Sequence, residues 1–316
     1  MRTFTESDVL SLGYAAAADA LTAALHSGFD PATDPERTFT DVPHGTFLTM
    51  PTSVGAHAGI KVATLAPGNP ERGLPFVQAT YLLHDAETLS LKATLDGTAL
   101  TTLRTPAVAI AGARPYLRAL MADGVTAPRV LIYGAGAQGV GHAHALADEF
   151  PELGNVDFVV RSPERAGADA RGLGQVHALG SAPAAKALAG ADVIVCATAA
   201  REPLFADEDV PEHAVILAVG AHQPDVRELP AALLARSDVI VEDVATALRE
   251  AGDVVLAIAD GAITEGDLVP MRDLLRRGEG ATAARPRTRP AVIKTVGMSW
   301  QDLVVAAAVM DAHPEG

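Results

Sequence analysis

The stretch Arg-Val-Leu-Ile-Tyr-Gly-Ala-Gly-Ala-Gln-Gly, residues 129–139, decides the fold. Its first half is an apolar run of the kind found in buried strands, and alanine-rich sequence typical of a helix follows to about Glu149. The glycines between them have the spacing Gly-x-Gly-x-x-Gly. A strand before this spacing and a helix after it are the context in which the motif binds a dinucleotide. We therefore predict a dinucleotide-binding βαβ unit.

Each glycine of this turn has a predicted task. Gly134 permits the tight turn, Gly136 lets the backbone approach a pyrophosphate, and Gly139 allows the helix to pack closely on the strand. The first helical turn, which begins at Ala137 and Gln138, would direct backbone N–H groups and a partial positive charge at the phosphates.

The end of the following strand indicates which dinucleotide binds. An acidic residue there bonds the ribose 2′-hydroxyl of NAD, whereas a basic one can neutralise the 2′-phosphate of NADP. Residues 158–165 read Phe-Val-Val-Arg-Ser-Pro-Glu-Arg, with Arg161 and Ser162 where the acid would be and Arg165 close behind. NADP(H) is therefore favoured, with NAD(H) as the alternative if Arg161 is only a solvated strand end. We also assign Thr198 and Val219 to the cofactor site.

Strands and helices alternate along the centre of the chain. The predicted strands lie at 129–133, 156–161, 192–197, 214–219 and 238–242, and such alternation favours a parallel sheet covered on both faces. Before this region, the alternating runs 59–65, 76–83 and 89–95 predict antiparallel strands. The segment between Asp30 and Pro51 has irregular character, and Thr105 with Pro106 predicts a helix start.

Together these patterns predict an α/β protein of two domains. A Rossmann domain, a doubly wound parallel sheet, would occupy residues 113–290. An α+β domain for substrate binding and dimerisation would occupy 1–112, and residues 291–316 would return to it.

The bulk properties exclude several classes of partner. The 316 residues carry a formal charge of −15, which disfavours nucleic acid and anionic membranes. No apolar signal segment is evident at the N-terminus and no apolar run approaches the roughly 18 residues of a membrane span, so we expect a cytoplasmic protein.

Cys196 lies in an apolar run and is expected to be inert. His142 and His144 do not share a helix face, so no metal site is predicted.

Several stretches together make the chain similar to the ornithine cyclodeaminase/mu-crystallin family over nearly its whole length. They are Gly-Ile-Lys at 59–61, Gly-Asn-Pro-Glu-Arg-Gly-Leu-Pro at 68–75, Asp-Gly-Thr-Ala-Leu-Thr-Thr-Leu-Arg-Thr at 96–105, Gly-Ala-Gly-Ala-Gln at 134–138, Ala-Val-Gly-Ala at 218–221, Glu-Leu at 228–229 and Glu-Ala-Gly-Asp at 250–253. The resemblance implies a homodimer joined through the N-terminal domains, with small α-amino or α-imino acids as substrates.

The resemblance also implies that Arg37, Lys61 and Arg104 hold the substrate carboxylate. The sequence supports this independently, because Lys61 interrupts an apolar strand and a cation there is costly unless it meets an anion. The alternatives are an outward-facing lysine on an edge strand and a surface ion pair.

Two departures from the cyclodeaminases change the predicted reaction. His222 stands where those enzymes have an aspartate, and Arg161 replaces the acid at the ribose. Both changes favour NADPH-dependent reduction of a cyclic or linear α-imino acid, a ketimine or 1-pyrroline-2-carboxylate, to an L-amino acid. Lys61, Arg104 and His222 are the candidate catalytic residues, with His222 either donating a proton or only lining the pocket. The alternatives are an NAD-dependent ornithine cyclodeaminase that releases proline and ammonia, and a noncatalytic NADPH-binding crystallin-like protein.

Overall fold

The computed structural model describes residues 1–154, 156–277 and 289–314. Its contacts divide the chain into two compact units. The first unit comprises Met1–Val108 and Gly297–Gly316, and the second comprises Ala109–Val296.

Fourteen strands lie in the described residues. They are β1 (Arg2–Phe4), β2 (Thr38–Val42), β3 (Gly45–Val54), β4 (His57–Leu65), β5 (Val77–Asp85), β6 (Leu91–Asp96), β7 (Val130–Tyr133), β8 (Val156–Val160), β9 (Gly174–Ala178), β10 (Val193–Cys196), β11 (Val215–Ala218), β12 (Asp238–Val241), β13 (Leu268–Pro270) and β14 (Ala291–Lys294).

Eleven α-helices accompany them in the same described residues. They are α1 (Glu6–Leu10), α2 (Tyr14–His26), α3 (Gly97–Ala122), α4 (Ala137–Glu149), α5 (Ala168–Leu173), α6 (Ala182–Ala189), α7 (Ala231–Ala235), α8 (Val244–Glu250), α9 (Gly252–Ala259), α10 (Met271–Arg276) and α11 (Ser299–Ala312). Among the described residues, no helix combines the length and the apolar character needed to cross a bilayer.

The first unit is built on a six-stranded sheet in the order β1-β6-β5-β4-β3-β2. Strands β2 to β6 are antiparallel, and residues directly opposite each other in such a sheet share a face. Met50, Lys61, Tyr81 and Leu95 are paired in this way and form one row across four strands. All four are buried, so Lys61 lies on the inward face of a central strand and not on an edge.

The second unit is a fully parallel eight-stranded sheet in the order β13-β12-β14-β11-β10-β7-β8-β9. Six neighbouring strands of this sheet, in the spatial order β9-β8-β7-β10-β11-β14, have the strand order 3-2-1-4-5-6 of a dinucleotide-binding fold. The switch point of that order lies between β7 and β10. Strands β7, β10, β11 and β14 are buried along their whole length, as expected when both faces of a parallel sheet are covered.

The structure places the end of the second unit later than the sequence pattern does. Strand β14 pairs with β11 and β12, whereas residues from 291 onwards were expected to return to the α+β domain. The return begins at Gly297. Residues 278–288, which include most of the stretch Ala-Arg-Pro-Arg-Thr-Arg-Pro at 284–290, lie outside the described residues.

Two further sequence predictions were wrong. The segment expected to be irregular contains β2 and most of β3, because an edge strand with exposed side chains needs no apolar alternation. Helix α3 begins at Gly97 and not near Thr105. The Asp96 carboxylate accepts hydrogen bonds from the N–H groups of Thr98 and Ala99, both at 2.9 Å, and this cap fixes the earlier start.

Candidate functional site

A cation cluster, defined as the buried Lys61 and Arg104 and the half-buried Arg37, lies in the first unit. Lys61 Nζ is 2.8 Å from Asp302 Oδ2, and Arg104 Nε is 3.3 Å from Asp302 Oδ1. Arg104 Nη1 also donates to Gln301 Oε1 at 3.3 Å. Lys61 and Arg104 are 3% and 6% exposed and Asp302 is fully buried, so one carboxylate serves two nearly dehydrated cations.

The electrostatics of this cluster favour a further anion. Burial lowers the pKa of Lys61 to about 8; Asp302 opposes that shift, while Arg104 and Arg37 add to it. Arg37 therefore lies within electrostatic reach of Lys61, and its guanidinium carbon is 5.7 Å from the centre of the Phe39 ring. Buried like charges are costly unless they are balanced. A substrate carboxylate would add a second negative charge beside Lys61 and Arg104, which share the Asp302 carboxylate.

The first turn of α11 presents the anionic side of the cluster. Asp34 accepts hydrogen bonds from the backbone N–H of Trp300 at 3.1 Å and from Thr52 Oγ1 at 2.5 Å. Burial raises the pKa of Asp34 to about 6, against the effect of these bonds. Asp34 thus fixes the turn that carries Gln301 and Asp302.

Gly297 allows the chain to enter this turn. Its φ is +86°, and a Cβ there would lie 2.6 Å from Arg104 Nη1. Any larger residue would therefore be strained and would displace the guanidinium.

Asp302, Gln301 and Asp34 were not predicted from the sequence. The signal for Asp302 was present, because it is the only charged residue between Trp300 and Val309. A lone acid in an apolar helix is the counterpart of a lone lysine in an apolar strand, and both require a partner.

The glycine-rich turn of the second unit has the geometry that a pyrophosphate requires. Gly134 has a φ of +101°, and a Cβ on it would meet the Ala197 carbonyl oxygen at 2.3 Å. A Cβ on Gly139 would lie 2.0 Å from the Gly134 carbonyl oxygen. In contrast, a Cβ on Gly136 would meet no atom within 4 Å. The space over Gly136 is therefore open, and a phosphate can approach the backbone there.

The start of α4 faces this space. Its first intrahelical hydrogen bond runs from Val140 N to the Gly136 carbonyl oxygen at 3.0 Å. The N–H groups at positions 137–139, the predicted phosphate contacts of Ala137, Gln138 and Gly139, precede that bond. They lie at the positive end of the helix dipole, where anions bind.

Arg161, Ser162 and Arg165 follow β8 directly. Both arginines are exposed, and among the described residues neither forms an ion pair. Arg171 Nε donates to the Ala166 carbonyl oxygen at 3.2 Å, and its Nη2 donates to that of Pro163. Arg171 therefore holds the loop on which the two exposed guanidinium groups stand.

The remaining predicted site residues lie at the carboxyl edge of the same sheet. Val219 N donates to the Cys196 carbonyl oxygen at 2.9 Å, and Thr198 follows β10 by two residues. His222 is exposed, and its Nδ1 donates to the Gly220 carbonyl oxygen at 2.9 Å. Because a carbonyl only accepts, Nδ1 carries the proton. An acid role for His222 would then use Nε2 of the imidazolium form.

Two conspicuous side chains of the second unit have structural roles. His142 is fully buried, its Nδ1 lies 2.7 Å from the Gln138 carbonyl oxygen, and burial lowers its pKa to about 4. Burial likewise raises the pKa of the Cys196 thiol, which removes the thiolate that reactive cysteines need.

Comparison with known proteins shows the family. A model of the ornithine cyclodeaminase/mu-crystallin family matches residues 5–316. The chain belongs to the ornithine cyclodeaminase/mu-crystallin family. The α/β fold with a parallel dinucleotide-binding sheet, predicted from the sequence, is confirmed.

Relatives within the family are named as reductases. Delta(1)-pyrroline-2-carboxylate reductase 2 of Burkholderia ambifaria is 33% identical over 274 residues, which cover 85% of this chain and 81% of that protein. Ketimine reductase mu-crystallin of Rattus norvegicus is 34% identical over 259 residues, covering 81% and 76% of the two chains.

A solved structure similar to this chain carries ligands. It is the Thermococcus litoralis Delta(1)-pyrroline-2-carboxylate reductase in complex with NADH and L-proline. It is 25% identical to this chain with a TM-score of 0.81, and the match covers 98% of this chain and 96% of that one.

Proposed function

We propose that this protein reduces a small α-imino acid, of the 1-pyrroline-2-carboxylate or ketimine type, to an L-amino acid with NADPH as reductant. The observation that carries the proposal is the cation cluster, in which Lys61 and Arg104 share the single carboxylate of Asp302 among the described residues. Its excess positive charge suits a monocarboxylate. The named activities of the reductases in the family support the same substrate class.

In this proposal the cation cluster binds and orients the substrate. Arg104 and Arg37 contribute planar donors and Lys61 a point charge. Asp302 and Gln301, in the first turn of α11, hold Lys61 and Arg104 in position. Fixing the carboxylate restricts where the imine carbon can lie, and such positioning lowers the entropic part of the barrier. The bound dinucleotide supplies the hydride.

The product amine also needs a proton. A cyclic imine that binds as its iminium form brings this proton with it. For a neutral imine we propose His222 as the donor through Nε2, because the bond from Nδ1 to the Gly220 carbonyl oxygen holds the ring in one orientation.

The choice of NADPH rests on the loop after β8. Two exposed guanidinium groups and the Ser162 hydroxyl stand there, where a carboxylate would repel a 2′-phosphate. The variant Arg161→Ser should weaken NADPH binding by about tenfold, the size of one charge-assisted hydrogen bond, and leave NADH binding unchanged. Equal effects on both cofactors, or none, would show that Arg161 does not contact the phosphate.

The test of the whole proposal is to incubate the purified protein with NADPH and 1-pyrroline-2-carboxylate. We expect NADPH consumption equal to the L-proline formed. Lys61→Met should abolish it. Lys92→Met is the matched control, since Lys92 lies on β6 of the same sheet in an ion pair with Asp85, and this variant should retain activity. Release of ammonia from ornithine without net NADPH consumption would show that the protein is a lyase and not a reductase.

A further inference from the structure

Glu228 joins the loops that follow two neighbouring strands of the second unit. Its fully buried carboxylate accepts four hydrogen bonds. Two come from Thr198, from the backbone N–H at 2.8 Å and from Oγ1 at 2.7 Å. The other two come from the N–H groups of Gly220 at 2.7 Å and Ala221 at 3.2 Å. One side chain therefore fixes the ends of both β10 and β11.

Glu228 is itself held by a second buried acid. Asp253 Oδ1 accepts hydrogen bonds from the N–H groups of Glu228 at 2.7 Å and Leu229 at 2.8 Å. Asp253 Oδ2 lies 2.9 Å from Lys294 Nζ at the end of β14, and both side chains are fully buried. Burial raises the pKa of Glu228, while Lys294 and the bonds from Thr198 oppose that shift. The three charged groups form one network across three strand ends.

The backbone around this network is tightly packed at Gly220, where no side chain fits. A Cβ on Gly220 would lie 2.1 Å from the Thr198 carbonyl oxygen and 2.5 Å from Glu228 Oε1. The preceding carbonyl, that of Ala197, is the one that packs against Gly134. Glu228 therefore sets the position of the segment that meets the glycine-rich turn.

The strand order indicates which half of the cofactor lies near the ends of β10 and β11. In a 3-2-1-4-5-6 sheet the two mononucleotide halves of the cofactor lie on opposite sides of the switch point. Strands β7 and β8 carry the pyrophosphate turn and Arg161, so the adenosine half lies on their side. The ends of β10 and β11 then face the nicotinamide half.

We propose that Glu228, held by Asp253 and Lys294, is the positioning residue that shapes the backbone at Thr198 and at Gly220–Ala221 for the nicotinamide half of the dinucleotide. The inference rests on the proposed function only in assuming that a dinucleotide binds. A network of three buried charges is costly to assemble, and its bonds converge on the edge where ligands bind in such sheets.

The test compares the binding of two ligands by calorimetry. NADPH spans both halves of the site, whereas 2′,5′-ADP fills only the adenosine half. Glu228→Gln keeps the shape of the side chain but turns an amide N–H toward donors that need an acceptor. We expect it to weaken NADPH about tenfold or more and to change 2′,5′-ADP binding by less than about twofold. Arg161→Ser should weaken both ligands.

Asp192→Asn is the matched control. Asp192 lies at the opposite, amino edge of the same sheet, where it accepts a bond from the Arg129 N–H at 2.9 Å and lies 2.9 Å from His213 Nε2. This variant should lower stability without changing either affinity. If Glu228→Gln folds poorly, the double variant Asp253→Asn with Lys294→Met removes one negative and one positive charge together and keeps the Glu228 carboxylate with its four donors. It should still weaken NADPH selectively.

Each result decides the inference. Unchanged NADPH affinity in Glu228→Gln, or equal weakening of NADPH and 2′,5′-ADP, would overturn it. If wild-type protein binds NADPH but reduces no imine, the proposed function fails and the affinities still decide the role of Glu228. If wild-type protein binds neither ligand, both proposals fail.

Discussion

At the scale of single residues, Lys61 links the geometry of the cation cluster to pH. Burial lowers its pKa to about 8, so it is mainly protonated at neutral pH and becomes neutral as the pH rises beyond that value. An anion binds the protonated form more tightly. Affinity for a carboxylate should therefore fall as the pH rises above 8, by up to about tenfold per pH unit.

This dependence can be measured with tetrahydrofuran-2-carboxylate, which has the ring and carboxylate of proline but no amine that titrates. Its dissociation constant should rise between pH 7.5 and pH 9.5. Lys61→Arg stays charged throughout this range, so the rise should disappear in that variant even if binding is weaker. A rise of the same steepness in the arginine variant would assign the titration to another group.

Single residues also show how far the sequence could predict the site. Lys61 was identifiable because a cation within an apolar strand needs an anion, and the same rule applies to Lys294 in Ala-Val-Ile-Lys. Their partners were not identifiable from spacing. Asp302 is 241 residues from Lys61, and only the folded chain brings such groups together.

At the scale of elements, the turn between β7 and α4 contains one glycine that we expect to matter for cofactor binding alone and another that we expect to matter for stability as well. Gly136 has a φ of −85°, which any residue adopts, and open space around it. Gly136→Ala should therefore leave the free energy of unfolding within about 0.5 kcal/mol of wild type and still block the pyrophosphate. Urea unfolding and NADPH calorimetry measure the two effects.

Gly139→Ala is the contrasting variant. Its Cβ would meet the Gly134 carbonyl oxygen at 2.0 Å, so α4 would have to move away from the strand. We expect a loss of stability of about 1–3 kcal/mol, as for other overpacked sites, together with loss of binding. A stable Gly136→Ala variant that binds NADPH normally would contradict the phosphate assignment for this turn.

Elements were predicted from the sequence where burial imposes a pattern. The buried strands β7, β8, β10, β11 and β12 were found within one or two residues, because parallel strands covered on both faces are continuously apolar. The edge strand β2 has five exposed residues and carries no such pattern. The start of α3 was missed because Thr105 and Pro106 imitate a helix cap inside a helix that Asp96 already caps.

At the scale of the whole molecule, the net charge and the local charge have opposite signs. The chain carries a formal charge of −15, yet its candidate binding sites are cationic. They are the cation cluster in the first unit and the exposed arginines after β8 in the second. Local charge is what binds a small carboxylate or a phosphate, because screening limits the reach of distant surface charges to about 10 Å. The order of the strands was predictable in outline from strand–helix alternation, whereas the network around Glu228 depends on contacts between segments far apart in the chain.

The proposed reaction transfers a hydride from NADPH to the α-carbon of an imino acid. The most direct measurement uses NADPH deuterated at nicotinamide C4 on the transferred face, with 1-pyrroline-2-carboxylate as substrate, and analyses the product by mass spectrometry and NMR. We expect L-proline with one deuterium at its α-carbon and one NADPH consumed for each proline formed. Proline without deuterium, or proline formed only from ornithine with release of ammonia and no net NADPH consumption, would contradict it.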